Sequence, residues 1–250
     1  MTHGSRIFYE DELGDRLIES ARFPVVIKNY LRAERGLLDR LATRFDALIE
    51  VGCMQARHCD WAISRHKRYL GIDIVTRYIR EGQLHIKSVS ASATCRVELE
   101  DAKHLVAILS RHRSFLNGHS PVVFFPFNSI GNIGDIRGVA QALTLSSLPF
   151  ILATYGTDEY SARCRALYYA RCNYKNIRIR RTSKGVHFGS LDGLSTYAYY
   201  HKFIESLFPK NGVVRQRFSS IGVAYLHPSL RAQLDESNSK TIKPSATTRM

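Results

Sequence analysis

Four runs that are apolar at nearly every residue constrain this chain most: ALIEV (47–51), YLGIDI (69–74), PVVFFPF (121–127) and PFILATY (149–155). A strand solvated on one face alternates polar and apolar residues. Unbroken apolar runs of this length instead belong to strands buried on both faces, which occur in parallel sheets covered by helices. The intervening stretches supply the helices. Leu105, Ile108 and Leu109 line one face of a helix predicted over Ala102 to His112, and another is predicted over Ile136 to Leu145. CRVELED (95–101) predicts one more strand, while 76–94 fits helix and strand equally. Strands alternating with helices give an α/β fold with a mainly parallel sheet.

The flanks follow other patterns. Leu13, Leu17 and Ile18 predict a short helix, and Leu37, Leu38, Leu41, Ala42 and Phe45 a second before the first strand. After Tyr155 a tyrosine-rich helix is predicted over 158–172. NIRIRRT and GVHFGSL, joined by Ser183-Lys184-Gly185, predict an antiparallel hairpin. A helix is predicted from Tyr197 to Phe208, then closing strands VVRQRFS and GVAYLHP around Ser220-Ile221. The tail from Ser229, rich in Ser, Thr and Lys, is expected to be disordered. The organisation so predicted is an N-terminal helical lid (1–44), a cofactor-binding core (45–155), a helix and hairpin on the substrate side (156–195), a closing helix with two strands (196–228) and a tail (229–250).

The first buried strand ends in Leu48-Ile49-Glu50-Val51-Gly52-Cys53-Met54-Gln55-Ala56-Arg57. An acid, a glycine and a tight loop feeding a helix let backbone approach a ligand closely. Asp73 ends the second strand 21 residues beyond Gly52. An acid there is placed to accept both hydroxyls of a ribose, and no structural partner is required of it. The dinucleotide pattern GxGxxG needs glycines at 52, 54 and 57, where this chain has Gly52, Met54 and Arg57. A loop this bulky blocks a pyrophosphate from helix amides. S-adenosylmethionine (SAM) has no phosphate, and an acid such as Glu50 suits its ammonium, directly or through water.

These residues resemble the first motif of class I SAM-dependent methyltransferases, hydrophobic-Glu/Asp-x-Gly-x-Gly-x-Gly, and the resemblance covers residues 45 to 155. It implies a Rossmann-like seven-stranded mixed sheet with helices on both faces, the last strand antiparallel, carrying the hairpin as an insertion over the carboxyl ends of the strands. It further implies that Glu50, Gly52 and Cys53 line the methionine end of SAM and that Asp73 holds the ribose. Asp101 and Ala102 resemble the acid-plus-small pair at the adenine. Phe127-Asn128-Ser129-Ile130-Gly131 resembles the fourth motif of small-molecule members, where the transferred methyl emerges. Met54 and Ala56 stand where the family carries its second and third glycines, a departure that predicts a reshaped loop.

For the acceptor end, Asn128 is a candidate to orient nucleophile or cofactor, or simply caps its loop. His187 is a candidate base reaching over from the hairpin, or a satisfied strand residue. Tyr155, ending the fifth strand, is a candidate pocket residue. Arg178 and Arg180 share a strand face and fit an anionic substrate, or a charged hairpin edge. Phe8, Tyr9 and Tyr30 are candidates for a lid.

A net charge of +14, about +17 beyond residue 20, leaves nucleic acid in view as an alternative partner. Phe125-Pro126-Phe127 lacks the Asp/Asn-Pro-Pro-aromatic pattern of amino-methylating nucleic-acid enzymes, so a small-molecule acceptor ranks first, an RNA methyltransferase second. A Rossmann-like binding protein without catalysis is the alternative outside enzymes. Five cysteines without a CxxC pair predict neither disulfides nor a metal site. No apolar run approaches 18 residues and no signal region opens the chain, so the expected location is cytoplasmic and no membrane partner is expected. The oligomeric state stays open, with a homodimer as one option.

Overall fold

A computed structural model describes residues 3–231. Strands β1 (Ala47–Val51), β2 (Arg68–Asp73), β3 (Cys95–Leu99), β4 (Pro121–Phe125) and β5 (Phe150–Tyr155) are parallel; β9 (Val214–Arg217) and β10 (Gly222–Leu226) close the sheet. The order is β3-β2-β1-β4-β5-β10-β9, with β10 antiparallel to both neighbours. A separate three-stranded antiparallel sheet holds β6 (Arg178–Arg181), β7 (Gly185–Gly189) and β8 (Ser195–Tyr199). The helices are α1 (His3–Glu10), α2 (Val25–Leu41), α3 (Cys59–Ile63), α4 (Thr76–Ser88), α5 (Leu105–Arg111), α6 (Arg113–Leu116), α7 (Ile136–Ser146), α8 (Glu159–Arg171) and α9 (His201–Glu205). None is long and apolar enough to cross a membrane among the described residues.

The period-two geometry of a strand divides the core in two. Leu48, Tyr69, Val122 and Phe124 pack on one face with Leu37, Leu41, Trp61, Ile79 and Ile86 from α2, α3 and α4. Ile49, Leu70, Ile72, Val123 and Phe125 pack on the other with Leu105, Ile108, Phe115, Val139 and Leu143 from α5, α6 and α7. A third cluster, rich in aromatic rings, joins the N-terminal segment, α8 and the small sheet.

Three predicted elements differ. The ambiguous segment is helix α4, with Tyr78, Ile79, Gly82 and Ile86 buried at helical spacing. The helix predicted from Tyr197 is strand first: Tyr197 and Tyr199 belong to β8, and α9 starts at His201. The insertion is therefore three-stranded rather than a hairpin, because β7 pairs on both edges. Of the tail, Pro228–Leu230 form a 3-10 turn that buries Leu230, whereas 232–250 lie outside the described residues.

Candidate functional site

In an open parallel sheet, loops leaving neighbouring strands on opposite faces part where the strand order reverses, and the crevice so formed lies at their carboxyl ends. Here that point lies between β1 and β4. A cleft of about 940 Å³, its mouth included, opens there.

The β1 loop forms one wall. Gly52 has φ +76°, and a Cβ on it would stand 2.8 Å from the Cβ of Ser129 on the facing loop. Met54 (φ 51°) and Ala56 (φ 65°) are also left-handed. Where the glycines are missing, two ordinary residues adopt the left-handed backbone that glycine would adopt freely, at a cost of about 1–2 kcal/mol each. Tight packing enforces this, since a Cβ on Gly82 of α4 would lie 3.3 Å from the Ala56 nitrogen.

Asp73 lines the cleft, but it has structural partners. Its Oδ2 accepts from Met54 N at 2.9 Å and its Oδ1 from Val75 N at 3.0 Å, so it clasps the β1 loop to the β2 loop. The carboxylate is 8% exposed, and burial raises its pKa to about 6 against the opposing pull of these amides. A carboxylate offers about four acceptor sites, so these backbone bonds leave capacity for a ligand.

Other candidates are placed differently. Glu50 is fully buried and away from the cleft; its Oε1 lies 2.6 Å from His58 Nδ1, and its Oε2 accepts from His58 N at 3.1 Å and Tyr69 Oη at 2.6 Å. That carboxylate anchors the far end of the loop, because alternation along β1 turns it to the helix face. Cys53 is likewise fully buried, its Sγ turned toward Gly71, and contributes no lining surface. Asp101 caps the turn that follows, accepting from Lys103 N at 3.1 Å, and Glu100 lines the cleft in its place beside Ala102. Glu100 N bonds Asp73 O, which carries the extended backbone one residue past β3, while the Glu100 carboxylate is held by Asp101 N and His104 Nδ1 at 2.9 Å and by Arg111 Nη2 at 3.1 Å.

On the facing wall, Asn128 (φ 61°) is a brace. Its Nδ2 donates to Thr196 Oγ1 at 3.1 Å and Tyr197 O at 3.0 Å, and its Oδ1 accepts from Thr154 Oγ1 at 2.5 Å. It ties β8 to the ends of β4 and β5, which holds the small sheet over the cleft. Tyr155 lines the cleft with a buried hydroxyl that has no partner, as does the Ser129 hydroxyl. His187 does not line the cleft: its Nε2 lies 3.0 Å from Ser195 Oγ, its ring packs on Tyr197, and burial and Arg180 lower its pKa. Arg178 and Arg180 are exposed on β6, the outer strand, and stand outside the cleft.

Tyr9, Gly14, Leu17 and Ile18 roof the cleft. Asp15 accepts two bonds from Arg77 Nη2 at 2.8 Å and one from Tyr78 Oη; Glu10 accepts from Thr76 N at 3.0 Å. Asn132 Nδ2 donates to Tyr9 Oη at 2.9 Å, bolting the roof to the β4 loop. Phe8 packs on Tyr174, and Tyr30 is a core ring among Phe127, Tyr155 and Phe218.

Sequence reasoning missed Arg57 and Glu100, which both line the cleft. Glu100 carried a signal, as the acid adjoining Asp101. Arg57 follows the third loop position, and its guanidinium stacks 5.1 Å from the centre of the Phe127 ring. All five cysteines are free. Away from the cleft, Cys59, Asp60 and His85 bring ligand atoms within 4.8 Å of one another; His85 Nε2 and Asp60 Oδ1 satisfy each other at 2.8 Å.

No family model matches this sequence, and no curated protein matches it. Solved structures do match. A SAM-dependent methyltransferase from Clostridium acetobutylicum ATCC 824 is similar with a TM-score of 0.53 at 13% identity, covering 86% of this chain and 96% of that one. Magnesium protoporphyrin IX methyltransferase from Synechocystis PCC 6803 with bound SAM gives 0.55 at 11% identity, covering 91% and 98%. The same enzyme with bound S-adenosylhomocysteine (SAH) gives 0.54 at 12%, covering 89% and 97%. The chain has the Rossmann-like α/β fold of SAM-dependent methyltransferases.

Proposed function

We propose that this protein is a SAM-dependent methyltransferase that transfers a methyl group to a nitrogen or oxygen atom of a small molecule. One observation carries the reading above the rest. The β1 loop keeps left-handed backbone at 52, 54 and 56 without two of the glycines, and its Met54 amide is clasped by the cleft-lining Asp73. Strain retained at a ligand-facing loop supports a binding role better than a scaffold that has lost one.

The residues present fit SAM. Asp73 accepts the ribose hydroxyls through its remaining lone pairs. Gly52 and Met54 border the methionine end, with Arg57 placed to meet its carboxylate, and Ala102 with Val75 gives an apolar wall for the adenine. The bound cofactor supplies a methyl group activated on a sulfonium. The chain's own task is alignment and exclusion of water. The β1 and β4 loops meet at Gly52 and Ser129, the pair of loops that would border the cofactor and the acceptor. The roof from Tyr9 to Ile18 closes over them. Asn128 holds the acceptor-side wall in place. Tyr155, whose pKa burial holds well above its ordinary value, stays protonated and donates to an acceptor group. A base is needed only for an acceptor that arrives protonated.

Calorimetric titration with SAM tests the reading, paired with mass spectrometry of the freshly purified protein for retained SAM or SAH. Micromolar binding is expected. A protein that binds neither compound is not a methyltransferase.

A further inference from the structure

The acceptor side of the cleft is backed by a charge without a counter-ion. Arg165 of α8 is fully buried. Its guanidinium carbon lies 4.6 Å from the centre of the Tyr155 ring and 4.3 Å from that of Phe188. Its Nε and Nη2 donate to Tyr169 Oη at 3.3 and 2.9 Å. Its Nη1 has no acceptor, and no carboxylate pairs with it among the described residues. Buried guanidinium groups are costly unless paired, and aromatic faces offset only part of that cost.

The two tyrosines in front of Arg165 both line the cleft. Tyr169's oxygen is spent as an acceptor from Arg165, which leaves its own hydrogen to donate and polarises it. Tyr155's buried hydroxyl has no partner at all. A buried acid near Tyr155, Glu34 of α2, accepts from Phe127 N at 2.7 Å and has Arg57 as its neighbouring positive charge. What remains is two hydroxyl donors on the cleft lining, backed by one buried cation without a counter-ion.

We propose that the methyl acceptor carries a carboxylate, held by the Tyr155 and Tyr169 hydroxyls against the charge of Arg165. A single buried positive charge behind two hydroxyl donors matches a monoanionic carboxylate better than a phosphate dianion. The inference rests on the methyltransferase reading for the word acceptor, but the anion seat can be tested apart from it.

The experiment titrates the protein, with and without SAH, with benzoate and with its neutral isostere benzamide at fixed ionic strength. Benzoate is expected to bind at least tenfold more tightly than benzamide. Tyr155→Phe and Tyr169→Phe each lower benzoate affinity several-fold while SAM affinity holds. Arg165→Met abolishes the preference and Arg165→Lys retains it; the Arg178→Ala, Arg180→Ala double variant, which changes only exposed charge, keeps it. Equal affinities, no benzoate binding, tighter binding of phenyl phosphate, or a preference that survives Arg165→Met overturns the proposal. Should Arg165→Met not fold, an unchanged preference in Tyr155→Phe overturns it equally. A protein that binds SAM but shows no benzoate preference loses this inference alone. One that prefers benzoate but binds no SAM loses the methyltransferase reading and keeps the anion seat.

Discussion

In the proposed site Asp73 does two jobs with one carboxylate, clasping the loops and holding the ribose, and pH separates them. Its folded pKa of about 6 lies above the ordinary 3.8, so the folded protein takes up a proton before the unfolded chain does. This group therefore favours folding at low pH, and its contribution is lost as pH rises through 6. Cofactor binding runs the other way, since a ribose needs the ionised form. SAM affinity is expected to be flat above pH 7 and to fall toward tenfold per unit below about 6; a flat titration by calorimetry down to pH 5 would remove Asp73 from the site. Asp73→Ala is expected to lose SAM and also to melt lower, because Met54 N and Val75 N lose their acceptor, a cost of about 1–3 kcal/mol for each buried group left unpaired. Met54→Gly relieves left-handed strain but adds freedom to the unfolded chain, about 0.5–1 kcal/mol. Its melting temperature should stay close to that of the parent while SAM binding weakens a few-fold through the lost wall. Tighter binding would mean that Met54 crowds the cofactor.

Among the elements, the N-terminal segment is the one whose contacts depend on the cleft. It is held by polar bonds at its edges, and the Asp15–Arg77 pair is half-buried, so it contributes about 1 kcal/mol or less. Gly14 abuts the Tyr9 ring, and any Cβ there collides with it. Gly14→Ala is expected to displace Tyr9 from the roof, speed amide exchange in residues 7–18 and quicken SAM release, with little change in the melting of the core. Unaltered exchange across the segment would show that the roof does not depend on that contact. The small antiparallel sheet acts as the opposite jaw, fixed through Asn128. Its outer strand carries Arg178 and Arg180 away from the cleft, which is why that cluster no longer supports a substrate role.

For the whole molecule, ligand binding and charge make separate predictions. SAM at a hundred times its Kd stabilises the folded state by about 2.7 kcal/mol, which for a chain of this size raises the melting temperature by roughly 5–10 °C. A generic attraction to RNA follows from the net charge of +14. That attraction is expected to collapse between 50 and 200 mM salt while SAM binding persists; RNA binding that survives salt would revive a nucleic-acid acceptor.

The sequence by itself determined the layered fold, because unbroken apolar runs permit little but a covered parallel sheet. A glycine or acid at the end of such a strand can only face the crevice or the helix layer. It did not decide between those two directions. Glu50 turned to the helix face and Glu100 displaced Asp101 because side-chain direction changes with every residue, and the strand's last hydrogen bond sets the count. Nor did it reveal that Met54 and Ala56 adopt a glycine's backbone, with the Met54 amide held by Asp73 and Ala56 packed against α4. The acceptor end was hardly legible. Arg165, Tyr155, Tyr169 and Thr196 come from three elements of the last hundred residues, brought together only when α8 and β8 close over the sheet, and no local spacing records that closure.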